Sequence, residues 1–516
     1  MSKKESLLDN ISLHPLFIGI YPILSLYYLN ITEVELSAIT KAMITSLILI
    51  AMVSIFFLII FRSWERASLS IAYSLLLLLT YGHVFNLLSD QKISETLIGR
   101  HRYILPLWGI IYLSGMYYLN KITRSKALTR SLNTVFILLV AFTLAQAGFF
   151  LLQTKIVQSR TQEASAVSQN LHSDIIQRDV YYILVDAYSR EDLLREKLGL
   201  DTSEFTNALK DMGFYIPKCT QSNYSFTNAS LASSLNMDYL DTLGIEIGVN
   251  DKTAFTTFIH NNMTRKSFEE LGYQTITFKN QHPAININDS TYYFDYFKDA
   301  SSLSQSNSIN FQYLFLNTTA FLPIREYLET QKNLTLPAFL GTWVPIGNTL
   351  NSREYRQYQQ NLYALQMLEK IPELPGSKFV YAHLFTTHQP YVFYPDGRFH
   401  SALAQDANAY RDQVIFANTR LLEVIKAILE KSAEEPIIII QSDHSFFPDS
   451  DTVKILNAYH LPGDTEKQLY DTITPVNTFR IIFNTFYNAD YQILPDISRY
   501  VDKDNNLVTT PPTCSN

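Results

Sequence analysis

The sequence predicts a bundle of five membrane-length helices followed by an α/β domain whose sheet is mostly parallel and covered by helices on both faces. Three observations lead there: five apolar runs crowded into the first 153 residues, a switch to polar composition after them, and short Val/Ile/Tyr-rich runs alternating with helical stretches in the remainder. The mean hydropathy of the 516-residue chain is near zero, an average over two unlike parts that describes neither.

The apolar runs cover residues 11–29, 36–61, 69–88, 103–119 and 132–152. Each is about long enough to cross a hydrocarbon core of ~30 Å as a helix. A secretory leader would be one short segment, so five runs argue against that reading. Basic residues in the short loops set the expected orientation. With the N-terminus in the cytoplasm, eight fall inside (Lys3, Lys4, Arg62, Arg66, Lys121, Arg124, Lys126, Arg130) and four outside (Lys41, Lys92, Arg100, Arg102). An odd number of spans then puts everything after residue 153 outside, which predicts a multi-pass protein of the cell (inner) membrane with its large domain extracytoplasmic.

Residues 154–178 are polar and rich in Gln, Ser and Ala, with apolar positions spaced as in a helix leaving the membrane, and read as a juxtamembrane linker. From residue 179 to 516 no repeat or low-complexity tract divides the chain. Runs at 180–185, 273–278, 379–385 and 437–440 read as buried strands, and stretches at 203–212, 356–370 and 409–431 as helices. That alternation gives a mostly parallel sheet, in which ligands bind beyond the carboxyl ends of the strands.

Charge divides with hydropathy: residues after 153 hold 29 basic and 41 acidic side chains. A net charge of about −12 on the outer region argues against a nucleic-acid partner. Cys219 and Cys514 are the only cysteines. They exclude a disulfide framework and a cysteine metal cluster, and the sequence leaves open whether they pair.

Four places carry candidate chemistry. Asp186 is the first charged side chain after the run 180–185; alone it reads equally as a cap of the next turn. Asp443 and His444 leave the run 437–440 together, and carboxylate beside imidazole suits zinc or manganese. Thr227 precedes small and apolar residues that read as a helix, so it sits where N–H groups and the helix dipole favour an anion; an ordinary threonine cap is the plainer reading. His388 follows the run 379–385 in His388-Gln389-Pro390-Tyr391, where it can protonate a leaving group, touch phosphate or bind a metal, or be a solvated loop histidine. His383, inside the same run, reads as a core histidine. Arg398 is a candidate substrate contact, with a surface role as its default. His400 and His460 are the remaining candidates for a second metal.

In this order, these pieces resemble the alkaline-phosphatase superfamily, in its sulfatase-like membrane branch of lipoteichoic-acid synthases and phosphoethanolamine transferases. The resemblance implies a divalent metal held by Asp186, Thr227, Asp443 and His444, with Thr227 as nucleophile and His388 at the phosphate or a second metal. It implies transfer of a phospholipid headgroup, of phosphoethanolamine or phosphoglycerol type, to an envelope glycan or lipid through a covalent Thr227 intermediate. The alternatives are a phosphodiesterase or sulfatase-like ester hydrolase, and a non-catalytic envelope assembly protein. The Cys/Ser-x-Pro-x-Arg pattern of sulfatases is absent, Ser445 stands where the branch has glycine after Asp-His, and Asp186 replaces the glutamate frequent in the transferases. The segment Ile473-Thr474-Pro475-Val476-Asn477-Thr478-Phe479-Arg480 also resembles the branch, without an assigned chemistry.

Overall fold

A computed structural model describes residues 12–31, 36, 39–88, 92–93, 96–97, 100–121, 125–165, 177–245, 252–296, 311, 315–330, 353–400, 406–504 and 506–514. The chain divides into two compact units: Met1–Leu152 with Gln305–Ser352, and Gln153–Ser304 with Arg353–Asn516. The region expected as one outer domain from 179 onward is therefore interrupted by a segment that joins the N-terminal unit.

The first unit holds helices α1 (His14–Leu29), α2 (Ile39–Phe61), α3 (Trp64–Leu88), α4 (His101–Leu119) and most of α5 (Ser125–Ser165). Among the described residues three helical stretches, Ile39–Phe61, Trp64–Leu88 and Lys126–Phe150, are long and apolar enough to cross a membrane, while His14–Leu29 is a shorter apolar helix. The helix α5 runs past the expected end of the last span and twelve residues into the linker; residues 166–176 of that linker lie outside the described residues. Small and polar groups let the helices approach. Ser46 donates to the Gly19 carbonyl at 2.8 Å, and the Asn133 side-chain oxygen accepts from the His14 backbone N–H at 2.8 Å. Ile23, Ala42, Ile71 and Leu75 are buried between the helices, whereas Ile48, Met52, Ile55, Phe56 and Ile59 of α2 are exposed. An outward face this apolar is the surface of a helix solvated by lipid.

The second unit is built on a six-stranded sheet. Its strands are β1 (Val180–Val185), β2 (Gln274–Phe278), β3 (Tyr292–Phe294), β4 (Lys378–Leu384), β5 (Ile437–Gln441) and β6 (Asn457–His460), in the spatial order β3-β2-β4-β1-β5-β6. All neighbours are parallel except β5 and β6. The mostly parallel sheet and its four long-run strands follow the sequence expectation to within a residue at each end. The short strands β3 and β6 are not apparent from hydropathy.

Helices cover both faces, as the alternation of β1 requires. Val180, Tyr182 and Leu184 pack into one core with α8 (Thr227–Asn236), α9 (Lys252–His260), α10 (Met263–Glu270) and α14 (Pro475–Phe486). Tyr181, Ile183 and Val185 pack into the other with α6 (Glu191–Leu198), α7 (Ser203–Asp211), α12 (Arg353–Leu368) and α13 (Ala407–Lys431). The remaining labelled helix, α11 (Leu322–Thr330), belongs to the first unit. An antiparallel hairpin, β7 (Ser498–Val501) with β8 (Leu507–Thr510), closes the chain.

Cys219 and Cys514 form a disulfide, 295 residues apart in sequence, which ties the tail after β8 to the loop leading into α8. Peptide mapping without reductant should recover the two cysteines in one cross-linked species. Cys514→Ser should lower the unfolding free energy of this unit by about 2–5 kcal/mol, read as a fall in the midpoint of thermal unfolding.

Candidate metal centre at the strand ends

Three adjacent strands, β4-β1-β5, deliver the candidate residues to one edge of the sheet. Leu184 of β1 pairs with His383 of β4 on one side and Gln441 of β5 on the other. Two residues further along, on the same face by strand alternation, stand Asp186 and Asp443. That face is the one covered by α8, whose Leu231, Ala232 and Leu235 share a core with Tyr182 and Leu184. Thr227 is the first residue of α8.

The backbone after β1 is sharply bent to hold this arrangement. Ala187 adopts φ 60°, a left-handed conformation that costs a residue with a Cβ about 1–2 kcal/mol. The bend is fixed from several sides. The Ala187 N–H donates to Asp443 Oδ1 at 3.2 Å, its carbonyl accepts from the Tyr410 hydroxyl at 2.8 Å, and the Tyr188 N–H donates to Ser442 Oγ at 2.9 Å. Ser445, where glycine was the expectation from the resemblance, is buried, and its Oγ lies 2.8 Å from Ser189 Oγ and accepts from the Phe447 N–H at 3.2 Å. The hydroxyl thus stitches the loop after β5 to the loop after β1.

At the centre, both carboxylates are almost wholly buried, and each keeps one oxygen without a hydrogen-bond partner: Asp186 Oδ1 and Asp443 Oδ2. His444 Nε2 lies 3.5 Å from the first and 3.6 Å from the second. Its Nδ1 is 3.0 Å from the Ser445 carbonyl, which fixes a proton there and turns Nε2 toward the carboxylates. The other oxygen of Asp186 is 3.0 Å from His383 Nε2. Asp186, His388 and His444 form one group able to converge on an ion, and Asp186, His383 and Asp443 a second, within 4.8 Å in each.

These residues fit a divalent cation. Two buried carboxylates, each with an oxygen that no hydrogen bond satisfies, lie beside the imidazoles of His383, His388 and His444, and a cation among them would offset the several kcal/mol per ion that burying such charge costs. Two oxygens and one nitrogen suit zinc or manganese. Titration follows the same logic. Burial would push Asp186 up, but His388, His383 and His444 outweigh it and hold its carboxyl well below the ordinary range. Burial would lower His444, but Asp443 and Asp186 outweigh it and raise the imidazole.

His388 reaches the cluster from the loop after β4. Its Nδ1 is 2.6 Å from the Gln389 carbonyl, and its ring centroid is 6.3 Å from that of His444. The loop is pinned by Gln357 of α12, whose amide donates to the His388 and Pro390 carbonyls at 3.2 and 3.1 Å. Thr227 lies at a helix end whose preceding residue, Phe226, is extended and offers no side-chain cap, so the first-turn N–H groups have no capping side chain. Among the described residues no hydrogen bond joins the Thr227 hydroxyl to the cluster.

Other candidates fall elsewhere. Arg398 is 77% exposed on a turn, paired with Asp396 at 2.6 Å, and makes no contact with the cluster. His460 pairs with Ile438 at the opposite end of β5, with its Nδ1 3.1 Å from the Pro436 carbonyl. His400 packs against Tyr394, with ring centroids 4.3 Å apart and planes tilted by 40°. Neither supplies a second histidine here. His383, read from the sequence as a core histidine, is buried, and the group that satisfies it is Asp186. The signal was available in its parity, since it shares a face with Tyr381 and with the residue two before Asp186.

The unassigned segment 473–480 has a bracing role. Thr474 donates to Asp496 at 2.7 Å, Thr478 Oγ1 accepts from Gln441 at 3.2 Å, and Arg480 donates to the Met237 carbonyl at the end of α8 at 2.6 Å. It locks the helix headed by Thr227 to the strand that carries Asp443.

No family model matches the sequence, and no curated protein matches it. Among solved structures the chain is similar to the C-terminal periplasmic domain of EptC from Escherichia coli, with 12% identity over 66% of this chain and 94% of that one and a TM-score of 0.39. It is also similar to the integral membrane lipooligosaccharide phosphoethanolamine transferase A from Neisseria meningitidis, with 11% identity, 91% and 94% coverage and a TM-score of 0.34. A third is the lipoteichoic acid synthase LtaP from Listeria monocytogenes, with 11% identity, 56% and 70% coverage and a TM-score of 0.33. Likeness at these scores carries no argument about this chain, whose fold rests on its own strand order.

The strained bend gives a direct check. Ala187→Val should destabilise the unit by about 2 kcal/mol, because a β-branched residue resists φ 60°, whereas Ala187→Gly should change stability by less than about 1 kcal/mol, relief of strain offsetting lost backbone entropy. Thermal or denaturant unfolding reads both.

Proposed function

We propose that this chain is a membrane-held phosphotransferase of the cell envelope, which moves a phospholipid headgroup to a glycan or lipid acceptor. The observation that carries the reading is the pair of buried carboxylate oxygens without donors, Asp186 Oδ1 and Asp443 Oδ2, facing His444 Nε2. A site decayed into an assembly module has no reason to keep buried charge in that form.

Asp186, Asp443 and His444 would hold the metal, with Thr227 as a fourth ligand. A divalent ion bound there would polarise the phosphoryl group and favour the ionised threonine oxygen. Thr227 supplies the nucleophile: its oxygen forms a bond to phosphorus, and the bond from phosphorus to the diacylglycerol oxygen breaks. His388 gives a proton to the departing alkoxide and later takes one from the acceptor hydroxyl, which displaces Thr227 from phosphorus. The uncapped N–H groups of α8 stabilise the charged phosphoryl oxygens, as helix N-termini do. His383 positions Asp186 through their 3.0 Å contact. Arg398, exposed and paired with Asp396, is not assigned a role.

The disulfide between Cys219 and Cys514 supports an extracytoplasmic location for the second unit, because such bonds persist in oxidising compartments. That side agrees with the orientation drawn from the basic loop residues.

Three outcomes test the reading. Protein quenched in acid from its own membranes should yield a Thr227-containing peptide bearing a headgroup-phosphate adduct, whose mass names the donor. Thr227→Ala should lower turnover by roughly 10³-fold or more; near-normal turnover would exclude Thr227 as nucleophile. The purified chain should carry stoichiometric metal by elemental analysis, lost in Asp443→Asn and His444→Ala. Since the His444 imidazole titrates above its ordinary range, protons compete already near neutrality, and metal affinity should weaken as pH falls, by up to about tenfold per unit.

A further inference from the structure

Residues 315–330 lie far along the chain from the N-terminal helices, yet they belong to the same compact unit. Their attachment is specific. The Gly82 N–H in α3 donates to the Thr318 carbonyl at 3.0 Å, and the Leu78 carbonyl accepts from the Ala320 N–H at 2.7 Å. A Cβ at Gly82 would lie 1.9 Å from the Asn317 carbonyl oxygen, so only glycine admits this approach. A side-chain chain continues the seam. The Tyr81 hydroxyl is 2.8 Å from His101 Nδ1, His101 Nε2 is 2.9 Å from Glu326, and the Phe85 ring stacks on His101 at 4.0 Å.

The helix α11 that follows is amphipathic in an inverted sense. Leu322 and Arg325 are buried, and Glu326 meets His101, whereas the opposite face shows Ile324, 52% exposed, and Tyr327, 65% exposed. A short helix facing water would present its charges outward and its apolar groups inward. Here Arg325 is buried and Glu326, its side chain 41% exposed, reaches His101 at the seam, while an isoleucine and a tyrosine turn away. Both anchor points lie at one end of the bundle. Gly82 is six residues, or about 9 Å, from the end of α3, and His101 is the first residue of α4. Aromatic and aliphatic side chains at that depth are what the headgroup boundary of a bilayer accommodates.

We propose that α11 is an interfacial membrane helix, seated on the ends of α3 and α4 with Ile324 and Tyr327 in the headgroup boundary of a lipid surface. The segment thereby gives the chain a second membrane attachment, separate in sequence from the N-terminal spans. On the orientation argued above, this is the outer leaflet.

The test uses the full chain in vesicles of phosphatidylethanolamine and phosphatidylglycerol. A fluorophore is attached to a single new cysteine in Ile324→Cys, Tyr327→Cys, Ile55→Cys or Arg398→Cys; the native pair is bridged and does not react. Ile55, exposed on α2, is the lipid reference, and Arg398, exposed on the second unit, is the aqueous one. Labels at 324 and 327 should be quenched by lipid spin-labelled near the headgroup at least about threefold more than the label at 398, and should be shielded from aqueous iodide. Iodide quenching at 324 and 327 equal to that at 398, with 55 still lipid-quenched, would overturn the proposal while leaving the spans intact. Loss of lipid quenching at 55 as well would overturn the membrane reading on which the proposal rests.

Discussion

Two carboxylates buried side by side at the ends of neighbouring parallel strands are the constraint around which the second unit is organised. Asp186 and Asp443 reach the same face because their strands pair in register and each residue lies two beyond a paired position, Leu184 and Gln441. Like charges this close and this dry repel strongly, so the surroundings must supply opposite charge. Three imidazoles, His383, His388 and His444, crowd onto the pair for that reason. The left-handed backbone at Ala187, the hydroxyl bridge from Ser445 to Ser189 and the amide clamp of Gln357 on the His388 loop all hold groups that would otherwise relax apart.

The same constraint explains why residues without chemistry of their own matter. The segment 473–480 contributes no reactive group, but it joins α8 to β5 through Arg480 and Thr478, and so links the helix headed by Thr227 to the strand that carries Asp443. The disulfide fixes the loop before that helix from the other side. The helix headed by Thr227 and the strand end that carries Asp443 lie far apart in sequence, so their alignment needs this kind of external bracing.

The first unit obeys a different solvent. Its helices expose isoleucine, methionine and phenylalanine and bury small and polar residues such as Ser46 and Ala42, the reverse of a water-soluble bundle. The helix α11 shares that inverted character, which is why its membership of this unit is physically coherent despite its place in the sequence.

The sequence by itself determined what depends on local periodicity. Apolar length marked the N-terminal helices, β-branched runs marked β1, β2, β4 and β5, and the first charged residues after β1 and β5 marked Asp186 and Asp443, with His444 beside it, as strand-end groups. Thr227 at the head of a helix was legible from the small residues after it. Tertiary structure decided what depends on register and on long-range pairing. The buried His383 finds Asp186 as its partner because parallel pairing sets it beside Leu184. His460 was removed to the far end of the sheet because β6 runs antiparallel. The pairing of Cys219 with Cys514 and the return of residues 315–330 to the membrane helices join positions hundreds of residues apart. No periodicity encodes such contacts, because they are selected by the packing of the finished fold and not by the propensities of the segments that make them.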